Sequence, residues 1–383
     1  MWAIRGRLVP LSFDPAVAPN QTAVFAGRIW IGDDGTIIAV SKGSKPGPVG
    51  SEAPEVIDVG SSLVIPGLID LHNHLAHNTF SLWAEPTQQK PFLHHNSWTR
   101  ADSYAANTTW PAYALITACP QELLAYVEAK AIVGGTTSIQ GSPPKNRPRD
   151  GWLVRNIEDE TFGSGVTGLI YESVLTAKPA ALAERANKMQ AGSAFSYHCA
   201  EGQRGTIVAR EFSTIVAREF SDVQAAGCLQ PRFIAVHANS VDPAVFARWH
   251  SPGAIAWSPF SNLWLYGQTT DGPAAQAEGI SVCLGSDWAP SGTKNVLGEL
   301  KSAQVTADHL GWSLSEYQHP RMPAGTGFTI AFRRAIRSAA GDGIPIEDLG
   351  IPGIPYQMTK DDLMKGNKDL LAFCTGVLGA GQQ

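Results

Sequence analysis

The stretch Val64–His74 reads VIPGLIDLHNH and delivers His72 and His74 two residues apart. On a strand, positions i and i+2 point to the same face. Two imidazoles so placed can grip one metal ion. Four further clusters carry candidate chemistry: His198-Cys199-Ala200-Glu201, His237 within AVHANS, Trp257-Ser258-Pro259-Phe260-Ser261-Asn262, and Gly285-Ser286-Asp287-Trp288. Each is ordinary when taken singly. An HxH pair is often two unrelated histidines, His237 could be a satisfied core histidine, and Glu201 could simply start a helix, where the dipole favours acid. In combination, histidines and one aspartate fall in order at successive strand ends. That is a nitrogen and oxygen donor set suited to zinc or iron(II). The five cysteines are scattered and none has CxxC spacing, so sulfur is not the expected ligand.

The elements that must carry these residues alternate. Helices are expected over 120–131, 180–190 and 295–310. Strands are expected over 136–141, 168–172, 194–198, 233–237, 254–258 and 280–287. Such alternation predicts βα units and a parallel sheet. Chemistry gathered at strand C-terminal ends favours a (β/α)8 barrel over a doubly wound open sheet. Residues 1–63 read as a small β-rich module with a hairpin at Gly32-Asp33-Asp34-Gly35. Residues 64–315 read as the barrel, and VIPGLIDLHNH as the hinge between the two. The stretch 75–110 reads as a long irregular loop kept ordered by its tryptophans.

Composition narrows the class. The chain has 383 residues, 44% hydrophobic and 16% charged, with net charge −5, so it can build a large core and carries no basic stripe for nucleic acid. No apolar run approaches a membrane span, and the N-terminus lacks a signal peptide's pattern. An odd number of scattered cysteines predicts reduced thiols and a cytoplasmic setting. The expected partner is a small-molecule substrate, with room for a homo-oligomer. One anomaly stands out: Thr206–Ser213 reads TIVAREFS, and Thr214–Ser221 repeats it unchanged. Eight residues at about 100° each add ~80° beyond two full turns, so the copies face differently on one helix. The disturbance is expected on the outer ring, away from the strand ends.

Taken together, PGLIDLHNH, YHCAEG, AVHANS, SPFSN and LGSDWAPSGTKN resemble the amidohydrolase superfamily of metal-dependent hydrolases, in the branch of cytosine and guanine deaminases and triazine hydrolases. The resemblance covers residues 1 to about 315. It implies a distorted (β/α)8 TIM barrel with a small N-terminal β-sandwich. It also implies one divalent metal, Zn2+ ahead of Fe2+, held by His72, His74, His198 and Asp287, with Glu201 and His237 acting on substrate and water. A metal in such a site lowers the pKa of water toward neutrality. Asp287 can then accept the water's proton, His237 orient it, and Glu201 protonate a ring or amide nitrogen. A second metal would need a carboxylated lysine, and neither Lys130 nor Lys178 is well placed for one. Asn78, Trp83, Trp98, Gln140, Asn262 and Trp288 are candidate substrate contacts, beside Phe80 and Trp264.

The resemblance stops near residue 315. The strands expected to return to the small sheet are not readable in 316–383, an atypical tail with helices expected over 328–340 and 359–373. Divergence or a reading-frame change would produce that pattern, and the small sheet would be left with an open edge. The functional expectation is hydrolysis of a C–N bond in a small cyclic or amide substrate, chiefly deamination. The alternatives are hydrolytic dechlorination of a nitrogen heteroaromatic ring, or a barrel kept as a non-catalytic assembly module.

Overall fold

A computed structural model describes residues 1–9, 24–43, 47–48, 55–88, 91–141, 153–158, 165–172, 177–204, 219–250, 252–312, 368–369 and 372–373. The chain divides into two compact units, Met1–Ala331 and Phe332–Gln383. In the second unit the described residues 368–369 and 372–373 are helical. The expected helix over 328–340, and most of that over 359–373, lie outside the described residues.

The first unit opens with a four-stranded sheet of order β3-β2-β1-β4, built from β1 (Trp2–Leu8), β2 (Phe25–Ile31), β3 (Ile37–Lys42) and β4 (Glu55–Val64). The expected hairpin joins β2 to β3, antiparallel. This is one layer of sheet among the described residues, the coarser form of the expected sandwich. Pro66-Gly67 separates β4 from β5 (Leu68–Asp70), the strand that leads into His72 and His74. A Cβ at Gly67 would overlap the Thr137 side chain, so the chain needs glycine to pass there.

Eight parallel strands follow. β5, β6 (Thr136–Ile139) and β7 (Arg155–Asn156) form one sheet. β8 (Leu169–Glu172), β9 (Ala194–Cys199), β10 (Phe233–His237), β11 (Ala254–Trp257) and β12 (Ser281–Leu284) form another, in the order β12-β11-β10-β9-β8. Backbone bonds stitch the two sheets beside the chemistry: Asp287 N–H donates to the His72 carbonyl at 2.9 Å and His74 N–H to the Asp287 carbonyl at 3.2 Å. β9 and β10 are buried along almost their whole length, as strands covered on both faces must be.

The helices are α1 (His95–Trp98), α2 (Asp102–Tyr104), α3 (Trp110–Ala118), α4 (Pro120–Val133), α5 (Pro179–Gln190), α6 (219–225), α7 (Pro259–Tyr266), α8 (Gly272–Ala277) and α9 (Val296–Leu310). α5 begins on a proline and buries Leu182, Ala186 and Met189, one stripe at helical spacing. That stripe packs into a core with Phe195, Phe233, Trp249 and Ile255. α9 is capped by the Asn295 side chain and stops at Gly311, φ 70°.

Three expectations change. The stretch 75–110 is not one irregular loop: it holds a 3-10 turn at Leu75–His77, then α1 and α2, and runs through Ala105–Thr109 into α3. SPFSN does not end in a loop. Pro259, with its fixed φ, opens α7 directly after β11. β12 closes at Leu284, so Asp287 sits beyond the strand, not at its last residue.

Most of the TIVAREFS duplication lies outside the described residues. The end of the second copy, Glu219 to Ser221, is helical in α6. Phe220 is in the core, and the buried Glu219 carboxylate accepts the Ala200 N–H at 2.9 Å, beside the end of β9.

Candidate metal centre

Five donor side chains converge at the strand ends. His72 and His74 follow β5, His198 lies in β9, His237 ends β10, and Asp287 follows β12. Donor atoms of His72, His74 and His198 lie within 4.8 Å of one another, and so do those of His72, His237 and Asp287. Asp287 Oδ1 is 3.2 Å from His72 Nε2 and 3.6 Å from His74 Nε2. The His72 ring is edge-on to those of His74, His198 and His237, with centroids 5.0, 4.7 and 5.1 Å away. All except His74 are buried.

The backbone is bent to achieve this. Among the described residues four non-glycines have positive φ: Ala200 (56°), His237 (65°), Ala238 (53°) and Asp287 (61°). All sit at strand ends around this centre. Left-handed backbone is costly for such residues and persists where the surroundings enforce it. Here the bends turn side chains inward at the ends of β9, β10 and β12.

Electrostatics suit a cation. Burial, reinforced by the neighbouring imidazoles, pushes His74 down to about 3 and His198 well below the usual histidine value. His237 is lowered by burial against the opposing pull of Glu201 and Asp287. These three rings are therefore neutral near pH 7, the form that ligates metal. Burial alone would raise Asp287, but the His72 hydrogen bond and surrounding imidazoles hold it well below the carboxylate range. The Nδ1 atoms of His72 and His198 are buried with no hydrogen-bond partner among the described residues. Orphaned buried polar atoms are expensive, and ligation of a metal by these imidazoles would offset that cost. The donor set therefore fits a divalent metal.

Around the donors lies a buried polar frame. Asp70 accepts from the Ser286 N–H at 3.0 Å, the Ser286 hydroxyl and the Asn73 amide. Its own pKa is raised, because burial outweighs those bonds. Asn73 also donates to Ser286 at 2.8 Å. This frame locks β5 to the segment carrying Asp287. His237 Nδ1 faces Asn262 Oδ1 at 3.2 Å, which places the ring proton on Nδ1 and leaves Nε2 with its lone pair. Glu201 is buried, with Oε2 3.8 Å from His237 Nε2, while Oε1 accepts from the Tyr266 hydroxyl at 2.6 Å.

The candidate substrate contacts divide. Trp98 and Trp288 approach each other at 5.5 Å, and Trp288 lies 6.3 Å from the His74 ring, beside the donors. Trp83 packs behind Trp98 at 6.5 Å and lines an outer cavity of about 280 Å³ with Phe92 and Trp264. Asn78 and Gln140 turn into the frame. Asn78 bonds Asn73 and the Ala289 N–H; Gln140 bonds the Asn73 N–H and Glu158. Asn262 is spent on His237, although its amide nitrogen is buried without a partner. Lys130, considered as a bridging ligand, donates to the Asn78 carbonyl.

Residue reasoning missed Asp70, Ser286, His77, Tyr171 and Tyr266. His77 packs on Trp288 with centroids at 5.3 Å, and burial takes its pKa to about 4. Tyr171 at the end of β8 lies 5.8 Å from the His198 ring. Tyr266 was findable: it stands four residues after Asn262 in SNLWLY, hence on the same face once that stretch is helical.

No protein-family model and no curated protein sequence matches the chain. Solved structures do. Guanine deaminase from C. acetobutylicum, with guanine bound in its active site, is 13% identical, with TM-score 0.52 over 82% of this chain and 83% of that one. E. coli guanine deaminase is 16% identical, with TM-score 0.57 over 82% and 79%. The chain shares the fold of these guanine deaminases. A zinc complex of atrazine chlorohydrolase from Arthrobacter aurescens matches at 15% identity, with TM-score 0.50 over 76% and 73%.

Proposed function

We propose that this chain is a metal-dependent hydrolase of carbon–nitrogen bonds, releasing ammonia from a small, flat, nitrogen-containing ring. The observation that carries the reading is the convergence of His72, His74, His198 and Asp287, with the acid Glu201 and the imidazole of His237 beside them. Guanine and zinc, bound in the solved relatives, set the probes. On this reading the eight parallel strands are arcs of one distorted (β/α)8 barrel, stitched at β5 and β12. Residues 1–63 form the small module and 64–315 the barrel.

His72, His74, His198 and Asp287 would hold one divalent ion, zinc before iron. When bound, it would supply an activated water at neutral pH. The chain's residues do the rest. Asp287 is ionised at neutral pH and takes the proton of the attacking water. His237, its Nδ1 proton committed to Asn262, presents the Nε2 lone pair to a hydrogen of the attacking water and so orients it. Glu201 hands a proton to a ring nitrogen, which makes the amine-bearing carbon electrophilic; the proton taken by Asp287 then passes to the exocyclic amine, which leaves as ammonia while Glu201 takes back the proton of the added hydroxyl. Trp98 and Trp288 supply flat apolar walls. The free thiols of Cys119, Cys199, Cys228 and Cys283 suit a cytoplasmic setting, and among the described residues no helix is long and apolar enough to cross a membrane.

The test is ammonia release by zinc-loaded protein from guanine and a panel of aminopurines, aminopyrimidines and aminotriazines. Release from at least one ring is expected. Chloride release from chlorotriazines with no ammonia from any amine would favour dechlorination. A protein that binds no metal under metal-replete conditions would defeat both.

A further inference from the structure

Behind Glu201 a second hydrogen-bond chain enters the site from the aromatic side. The Trp98 indole Nε1 donates to the Tyr266 hydroxyl at 2.7 Å, and that hydroxyl lies 2.6 Å from Glu201 Oε1. All three side chains are buried. An indole nitrogen can only donate, so the Tyr266 oxygen receives the Trp98 hydrogen, and the Tyr266 hydroxyl in turn donates to Glu201. Oε1 is thereby an acceptor. Tyr266 stays a neutral phenol over the working range, since burial and the adjacent Glu201 push its pKa well up. The other oxygen, Oε2, is buried with no hydrogen-bond partner among the described residues and lies nearest His237.

We propose that Tyr266, itself fixed by Trp98, is a positioning residue that tethers Glu201 by Oε1 and so assigns Oε2 as the oxygen that carries the proton to substrate. The assignment rests on the reading of Glu201 as the acid. An untethered carboxylic acid can rotate and present either oxygen. Tethered, it offers one oxygen along one line, which a proton transfer needs. Two separate elements build the tether. α7 supplies Tyr266 on the face that also carries Asn262, so a single helix aims both Glu201 and His237. α1 supplies Trp98, which gives that helix a part in the chemistry beyond forming a wall of the site. Trp98, expected from sequence to touch substrate, is on this account also a donor to the machinery.

The test compares zinc-loaded full-length wild type, Y266F, E201Q and the double variant. Phenylalanine keeps the ring and removes only the hydroxyl. For whichever ring wild type deaminates, Y266F is expected to lower kcat by about 10- to 100-fold, part of the worth of a general acid, while KM moves less than about threefold. In the E201Q background the same change should cost nothing more, because its target is already gone. Zinc content should remain one per chain in all four proteins. An unchanged kcat in Y266F overturns the proposal, and so does an equal loss in the E201Q background. Crystal structures of zinc-loaded wild type and Y266F separate this from the functional reading. If no ring is turned over, the hydrolase reading falls, yet the tether still predicts that Glu201 leaves its single orientation in Y266F. A Glu201 held unchanged without the Tyr266 hydroxyl refutes it.

Discussion

His72 and Asp287 show how much a single position carries. They lie 215 residues apart, yet their side chains meet at 3.2 Å and their backbones are hydrogen-bonded. Removing a donor from such a cluster should remove the metal: H74A and D287A are expected to lose zinc by elemental analysis. E201Q should keep it and lose turnover by about 10²–10⁴-fold, the usual worth of a general acid. Turnover retained in E201Q would refute the proton-donor role. A different carboxylate reports on pH. Glu299 in α9 is fully buried and accepts the Phe260 N–H at 2.8 Å and the Thr293 hydroxyl. Burial raises its pKa from 4.5 to about 8. The folded state thus holds this proton after the unfolded chain has released it. By linkage the contribution is fully present below pH 4.5 and is lost as pH rises toward about 8. Urea titrations from pH 5 to 8 should show stability falling from this group, and E299Q should flatten that slope. An equal slope in E299Q would show that Glu299 is not its source.

Among the elements, the strand ends were the legible part. HxH after β5, His198 in β9 and His237 at the end of β10 could be read because parallel strands buried on both faces make short apolar runs with little else in them. α7 was not legible as a helix, because SPFSN follows a strand without a spacer and its proline reads as a loop signal. The frame of Asp70, Asn73 and Ser286 was invisible for another reason: it joins residues more than two hundred positions apart, and no local period marks such a pairing. Close approaches in that frame give a sharp prediction. A Cβ at Gly285 would lie 2.4 Å from the His72 Cβ. G285A should therefore cost about 1–3 kcal/mol, as overpacked sites do, and should weaken zinc binding as well, since the residue pushed is a donor. Wild-type zinc affinity in G285A would contradict this. The duplicated segment teaches the same lesson from the other side. Its repeat is plain in the sequence, but nothing local says that Glu219 caps the Ala200 turn. E219A would leave that N–H without its carboxylate, at a cost of about 1–3 kcal/mol if it stays buried, read from the urea midpoint.

At the scale of the molecule, the four proposed ligands come from three strands of a parallel array, so a bound metal would tie together segments that the chain brings near one another only on folding. Anything that binds the folded state alone stabilises it, by about 2.7 kcal/mol at a hundredfold excess over Kd. Chelator-treated protein should melt below zinc-loaded protein, and D287A should show no such difference. The alternation of strands and helices made the α/β class readable from the sequence. The strands expected to return to the small sheet were not readable in 316–383, where Gly and Pro interrupt the apolar pattern between the two expected helices. The central claim is that one divalent ion in this cluster drives hydrolysis, and the most direct measurement titrates metal-free protein with zinc while following ammonia release from the best ring in the panel. The account predicts activity that rises linearly and levels at one equivalent per chain. A plateau at two equivalents, or no ammonia at any zinc level, would contradict it.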